Sequence, residues 1–163
     1  ICCGKGMGNG YPLSGVIGRG EIMDLPEVGN MSSTHSANPM ACAVGLAVIE
    51  EIESLNLIEE SKRKGNILKD KLSQLKERSE GRISHILGEG LISAILFQDP
   101  KTGEPDGLTA SMVAEKCYEK GLLVVHTGRE SIKLGPPLTI SDEALMEGLD
   151  VICEAFNEAI ESK

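Results

Sequence analysis

The chain has 163 residues with sixteen basic and twenty-five acidic side chains, giving a net charge of −9 at neutral pH. A chain of this size buries roughly 68–70% of its unfolded surface, so a sizeable core is expected. The acidic balance and the lack of any basic cluster argue against nucleic acid or anionic membrane as partners, and no apolar run approaches the ~20 residues that span a bilayer.

Five cysteines, at positions 2, 3, 42, 117 and 153, are an odd number without metal-ligand spacing, so no metal is expected. Cys42, Cys117 and Cys153 fall on apolar faces of predicted helices as free core thiols, and a reducing, cytoplasmic compartment is the expectation. With no Trp, two Phe and two Tyr, the core must be aliphatic. The start, ICCGKG, lacks the charged segment of a signal peptide.

In chain order, residues 1–3 read as the end of a buried strand, with Cys2 and Cys3 on opposite faces. A glycine-rich loop follows, in which Lys5 stands between Gly4 and Gly6, with Gly8 and Gly10 beyond. Two readings of Lys5 are open. One is an ordinary surface turn; the other is an amine that a flat aldehyde cofactor can approach closely and bind as an imine. The Walker phosphate loop fails, because its lysine must follow the glycines and precede Ser or Thr. A dinucleotide fingerprint fails for want of a strand and a full βαβ unit around it.

Residues 14–18 read as the next strand, 21–25 as one helical turn, and 31–37 as a small polar loop. Asn38 and Pro39 signal a helix start, with Asn as N-cap and Pro at the first position. That helix runs to about Ser54, and its Ala41, Ala43, Gly45 and Ala47 permit close packing. Residues 57–80 form a second helix with Ile58, Ile67, Leu68, Leu72 and Leu75 as its apolar stripe, ended by Gly81. Residues 83–87 and 91–97 read as strands around Gly88-Glu89-Gly90, and 98–107 as an exposed turn region. A helix over 108–120, strands over 122–126 and 132–134, and a Ser141-capped final helix with Leu145, Leu149, Ile152, Phe156 and Ile160 complete the chain. The order predicts a compact α/β arrangement, a small sheet backed by helices.

Three ordered blocks also carry a resemblance. GKGMGNGYPLSGVIG (residues 4–18) looks like the segment with the cofactor lysine in class III aminotransferases, the pyridoxal phosphate enzymes of fold type I. STHSANPMACAVGLAVIE (residues 33–50) resembles that family's next block, and IKLGPPLTIS (residues 132–141) its carboxyl-terminal motif. The resemblance implies the carboxyl-terminal part of such an enzyme. Residues 1–54 would be the last segment of the large cofactor-binding domain with its linking helix, and 55–163 the small domain. Because Ile1 falls in mid-strand with no Met before it, a longer protein is expected, and the piece alone is expected not to turn over.

By the same resemblance, Lys5 holds pyridoxal 5′-phosphate, and Ser33 and Thr34 bind its phosphate from the neighbouring subunit of a homodimer. On their own, Ser33 and Thr34 read as a turn ahead of a helix N-terminus that favours an anion. His35, Ser36 and Ala37 stand where the family often has glycines and leave the path of that loop open. Lys133 occupies a position where many relatives carry an arginine that grips the substrate carboxylate. Lysine offers a point charge instead of a planar fork, so recognition by Lys133, recognition elsewhere, as at Arg129, and a solvent-facing lysine all stay open. His85 and His126 fall on strands as structural or surface residues. The implied reaction moves an amino group from a donor, often an ω-amino acid such as 4-aminobutyrate, ornithine or acetylornithine, to an oxo acid. A mutase, epimerase or decarboxylase of the same fold, or a non-catalytic dimerisation fragment, is the alternative.

Overall fold

A computed structural model of the chain describes residues 1–161. The chain divides into two compact units, one ending at Leu57 and the other beginning at Ile58.

In the first unit, β1 (Cys2–Cys3) and β2 (Gly15–Val16) pair antiparallel, with Cys2 opposite Val16. The glycine-rich loop between them opens with a 3-10 turn, Lys5–Gly8. After the single turn α1 (Gly20–Met23), the polar loop leads into α2 (Pro39–Ser54). The start of α2 follows from its capping chemistry. Pro39 has no N–H to satisfy, and Asn38 Oδ1 accepts from the amides of Met40 at 2.9 Å and Ala41 at 3.3 Å.

Two expectations fail in this unit. The strand at residues 1–3 is not buried: Ile1 is 83% exposed and Cys2 is exposed. Among the described residues β1 pairs with β2 alone. Cys42 is also exposed. The buried face of α2 consists of Ala41 and Gly45, and the residue after Ala41 is turned about 100° away from that face.

The second unit contains α3 (Leu57–Arg78, its first residue preceding the division), β3 (Ile83–Glu89), β4 (Ile92–Phe97), α4 (Gly107–Glu119), β5 (Val125–His126), β6 (Ser131–Leu134) and α5 (Asp142–Glu161). The four strands form one antiparallel sheet in the order β3-β4-β6-β5. This is the predicted order of elements. Ser93, Ile95 and Phe97 of β4 and Ile132 and Leu134 of β6 are buried on the helix-covered face, as period-two alternation requires. Against them pack Leu68 and Leu72 of α3, Val113 and Cys117 of α4, and Leu149 and Phe156 of α5. The Phe97 and Phe156 rings stack with centroids 6.2 Å apart.

One residue of the predicted apolar stripe of α3 is misplaced: Ile58 is 72% exposed, and Leu57 before it is the buried residue at the start of the helix. The strand predicted over 122–126 also shrinks to its last two residues. Its first residues belong instead to the closure of α4: Leu122 N–H bonds to Cys117 O at 2.9 Å and Gly121 N–H to Tyr118 O at 3.0 Å. Gly121, at φ +85, supplies the left-handed residue that this helix ending needs.

The α3 helix meets the β3–β4 hairpin at close range. Ser61 Oγ accepts from Leu91 N–H at 3.3 Å, and Gly65 lies against the backbone of Gly90. At the hairpin end Gly88 has φ +135, and a Cβ there would lie 2.1 Å from Ile92 O, so only glycine fits.

Several carboxyl groups at the surface of this unit, Asp142 exposed and Glu60, Asp99 and Glu158 half-buried, are held below their ordinary range. Hydrogen bonds from Arg63 lower both Glu60 and Asp142, backbone amides of Lys101 and Thr102 lower Asp99, and Lys120 lowers Glu158. Groups depressed in the folded state add stability above the unfolded carboxyl range and lose it as pH falls through their folded values. The melting temperature is therefore expected to be level from neutrality to about pH 5 and to fall below about pH 4. A melting temperature that stays level to about pH 3 in a pH series would contradict this. The effect should be modest, since every one of these pairs is solvent-screened.

No helix among the described residues is long and apolar enough to cross a membrane, and no metal-binding cluster of three side chains occurs among them.

Candidate active site

Lys5 sits at the end of β1, the first residue of the 3-10 turn, and its side chain is exposed. Its φ is +50, a left-handed backbone that a non-glycine residue adopts at a cost of about 1–2 kcal/mol. Strain of this kind persists only where the surroundings over-determine it, and it gathers at functional positions. Gly4 before it is fully extended, with φ −167 and ψ −161. On the other flank, no atom lies within 4 Å of where a Cβ on Gly6 would be. A flat ligand can therefore approach the lysine from the Gly6 side.

The loop is held against α2. Leu13 fills the notch above Gly45, where a Cβ would come within 2.5 Å of Leu13 Cδ2, and it also lies against Gly8, where a Cβ would come within 3.1 Å of Leu13 Cβ. Tyr11 Oη lies 3.9 Å from Met40 Sδ, one turn toward the start of the same helix. The small residues of α2 thus have a definite partner, the lysine loop itself. Sequence reasoning recognised the small face but not Leu13, because the two positions are more than thirty residues apart. The local signal was the one aliphatic branched side chain in a loop otherwise rich in glycine.

Ser33 and Thr34 lie on the polar loop before α2, both exposed. Ser33 is turned inward along its own loop, with its amide on Ser36 Oγ at 3.0 Å and its hydroxyl on the same atom at 3.1 Å. At the α2 N-terminus the first amides are already taken. Asn38 takes the Met40 and Ala41 amides with its side chain and the Cys42 amide with its carbonyl at 3.0 Å, while Pro39 has none.

Lys133 lies in the second unit, on the face of β6 opposite Ile132 and Leu134, and is exposed. Its cross-strand neighbours are Ala94 and Val125, neither of them acidic. Arg129 lies on the turn before β6 and approaches Glu130 at 3.8 Å. The same turn is tied by His126, whose Nε2 lies 3.3 Å from Arg129 O and 3.5 Å from Ser111 Oγ. His126 is thus a turn-holding residue. His85 is exposed on β3.

Comparison with known proteins covers nearly the whole chain. The profile of the family described as aminotransferase class-III matches residues 1–156. The chain belongs to the class III aminotransferases. It is 40% identical over 155 residues to a 4-aminobutyrate aminotransferase of Mycobacterium bovis, covering 94% of this chain and 34% of that protein. It is 38% identical over 165 residues to a leucine/methionine racemase of Thermococcus litoralis, covering 100% of this chain and 37% of that protein. Among solved structures, an ornithine aminotransferase of Toxoplasma gondii, whose active site is partly occupied by pyridoxal phosphate, superposes with a TM-score of 0.87. The identity there is 28%, over 99% of this chain and 37% of that one. The chain spans about a third of the length of the relatives it matches.

The fold is that of the fold type I aminotransferases, and the cofactor of class III members is pyridoxal phosphate. The first unit fits that group. It offers an exposed primary amine with an open glycine flank for an aldehyde.

Proposed function

We propose that this class III chain carries the cofactor lysine of an enzyme that moves an amino group from an amino donor to an oxo acid. The observation that carries the reading is Lys5: an exposed amine at a strand end, on a left-handed backbone, with open space at Gly6. When bound, pyridoxal phosphate supplies the aldehyde and the electron sink for the exchange. Lys5 Nζ would hold the cofactor at rest and, once released by the donor's own amine, would be the free amine that moves the proton at the donor's amino-bearing carbon. Leu13, seated on Gly45, keeps the Lys5 loop on α2. Thr34, seconded by Ser33, binds the phosphate of the cofactor held by the neighbouring subunit, and Lys133 attracts the carboxylate of the donor as a point charge.

In this reading, the unit ending at Leu57 is part of the cofactor-binding domain and the unit beginning at Ile58 is the small domain. The donor is proposed to be an ω-amino acid, a choice supported by the 40% identity to a 4-aminobutyrate aminotransferase. A homodimer is part of the same reading; the first unit's exposed apolar side chains, Val28 at 107% and Leu25, Met31 and Met40 each at least 65%, are surface for the rest of a longer protein or for a second copy to cover. The five free thiols favour a reducing compartment such as the cytoplasm. The racemase relative favours a second reading, in which the same lysine moves protons without amino exchange.

Borohydride trapping tests the central assignment. The holoenzyme is reduced and digested, and the lysine carrying the pyridoxyl label is identified; Lys5 is expected to be labelled above all others. A label on another lysine sinks the reading. An amino-transfer assay on the same preparation separates the alternatives, since racemisation without any oxo acid marks the second reading. The 163-residue chain alone is expected to show no turnover.

A further inference from the structure

The first turns of α3 reach the segment that joins β6 to α5. Lys64 is 7% exposed, and its Nζ donates to the Ile140 carbonyl at 2.5 Å. The Glu60 carboxylate is 3.8 Å from Lys64 Nζ and is itself held by Arg63 Nη2 at 2.9 Å. Arg63 also forks onto Asp142, with Nη1 to Oδ2 at 2.9 Å and Nη2 to Oδ1 at 2.6 Å.

A buried ammonium is costly to hold, and an apolar side chain of similar length would fill the same space without that cost. The charge at Lys64 therefore asks for a reason beyond packing. The group it grips belongs to a connecting segment rather than to a helix or strand. That segment, residues 135–141, contains Pro136-Pro137 and a turn in which Ile140 N–H bonds to Pro137 O at 3.0 Å. Its first end leaves β6 directly after Lys133 and Leu134, and Lys133 is registered between Ala94 and Val125. Its second end is clamped at Ile140 by Lys64 and at Asp142 by Arg63. With two prolines between, little backbone freedom is left to absorb a displacement at either end.

We propose that Lys64, seconded by Arg63, is a positioning residue for substrate recognition, holding residues 135–141 so that Lys133 meets the carboxylate of the donor. This rests on the reading of Lys133 as the carboxylate-binding group.

The test uses the holoenzyme with two amino donors of equal length, one bearing a carboxylate and one a plain amine. Lys64→Met is expected to raise KM for the carboxylate donor about tenfold with kcat little changed, and to leave the plain amine unaffected. Lys64→Arg, which keeps the charge, should retain most of the wild-type KM. A merely structural role would shift both donors alike, and that outcome overturns the proposal. If Lys133→Met raises KM for the carboxylate donor while Lys64→Met raises it for neither, the positioning role falls and the Lys133 reading stands. If Lys133→Met raises it for neither donor, both fall together. Should Lys64→Met fail to fold, Arg63→Gln, at a side chain 46% exposed, carries the same comparison.

Discussion

Replacing Lys5 by alanine is expected to lower kcat for amino transfer by about 10³-fold or more, since proton transfer alone contributes about 10²- to 10⁴-fold. The loss should occur without unfolding. Lys5 is exposed, so the melting temperature should move by less than a few degrees. Lys5→Arg should not restore activity, because a guanidinium keeps its proton at any working pH and cannot serve as the base. Lys5→Gly adds an informative contrast. It removes the strain of a side chain at φ +50, which is of order 1–2 kcal/mol. The glycine variant should therefore be as inactive as the alanine variant and slightly more stable than the wild type. That combination is the signature of a residue kept for chemistry at the expense of stability. If Lys5→Ala retained kcat within tenfold of the wild type while still folded, another lysine would have to hold the cofactor, and the site would lie elsewhere.

Gly65→Ala is expected to destabilise the second unit, although Gly65 lies inside a helix where alanine ordinarily gains about 0.5–1 kcal/mol. The opposing effect is steric. A Cβ on Gly65 would lie 2.5 Å from both Cα and O of Gly90, and neither atom belongs to a side chain that could swing away. The hairpin cannot retreat freely, because Leu91 beside it is 2% exposed in the core and its amide is bonded to Ser61 Oγ. Overpacking against such a contact costs about 1–3 kcal/mol and outweighs the propensity gain. For a unit of about 100 residues, each 1 kcal/mol of net loss lowers the melting temperature by about 4–8 °C. Gly65→Val should be worse still, since it adds bulk and a β-branch at the same contact. A melting temperature for Gly65→Ala at or above that of the wild type would show that α3 and the hairpin slide apart at little cost.

How far the chain could be read in advance differs between the two units. Asn38 and Pro39 announce α2 because capping is local chemistry among neighbours in the chain. The stripe of α5 announces its buried face because residues three and four apart share one side of a helix. The Lys5 block, too, is recognisable by its own succession of residues. Local order thus determined the element sequence of the second unit, the family, and the lysine on which the proposed function rests.

What the local order left open are the meetings of residues far apart in sequence. Leu13 seats on Gly45, Gly65 meets Gly90, and Lys64 finds the carbonyl of Ile140, seventy-six positions away. None of these pairs has a periodicity or a motif, because each depends on where two separately formed elements come to rest. The same holds for the failed expectations. Cys42 and residues 1–3 have apolar character, but burial needs a second layer over them, and α2 buries only its Ala41 and Gly45 face. Capping of α2 by Asn38 needed no such meeting, since Oδ1 takes amides only two and three residues away, whereas the seat of Leu13 on Gly45 had to await the folded unit.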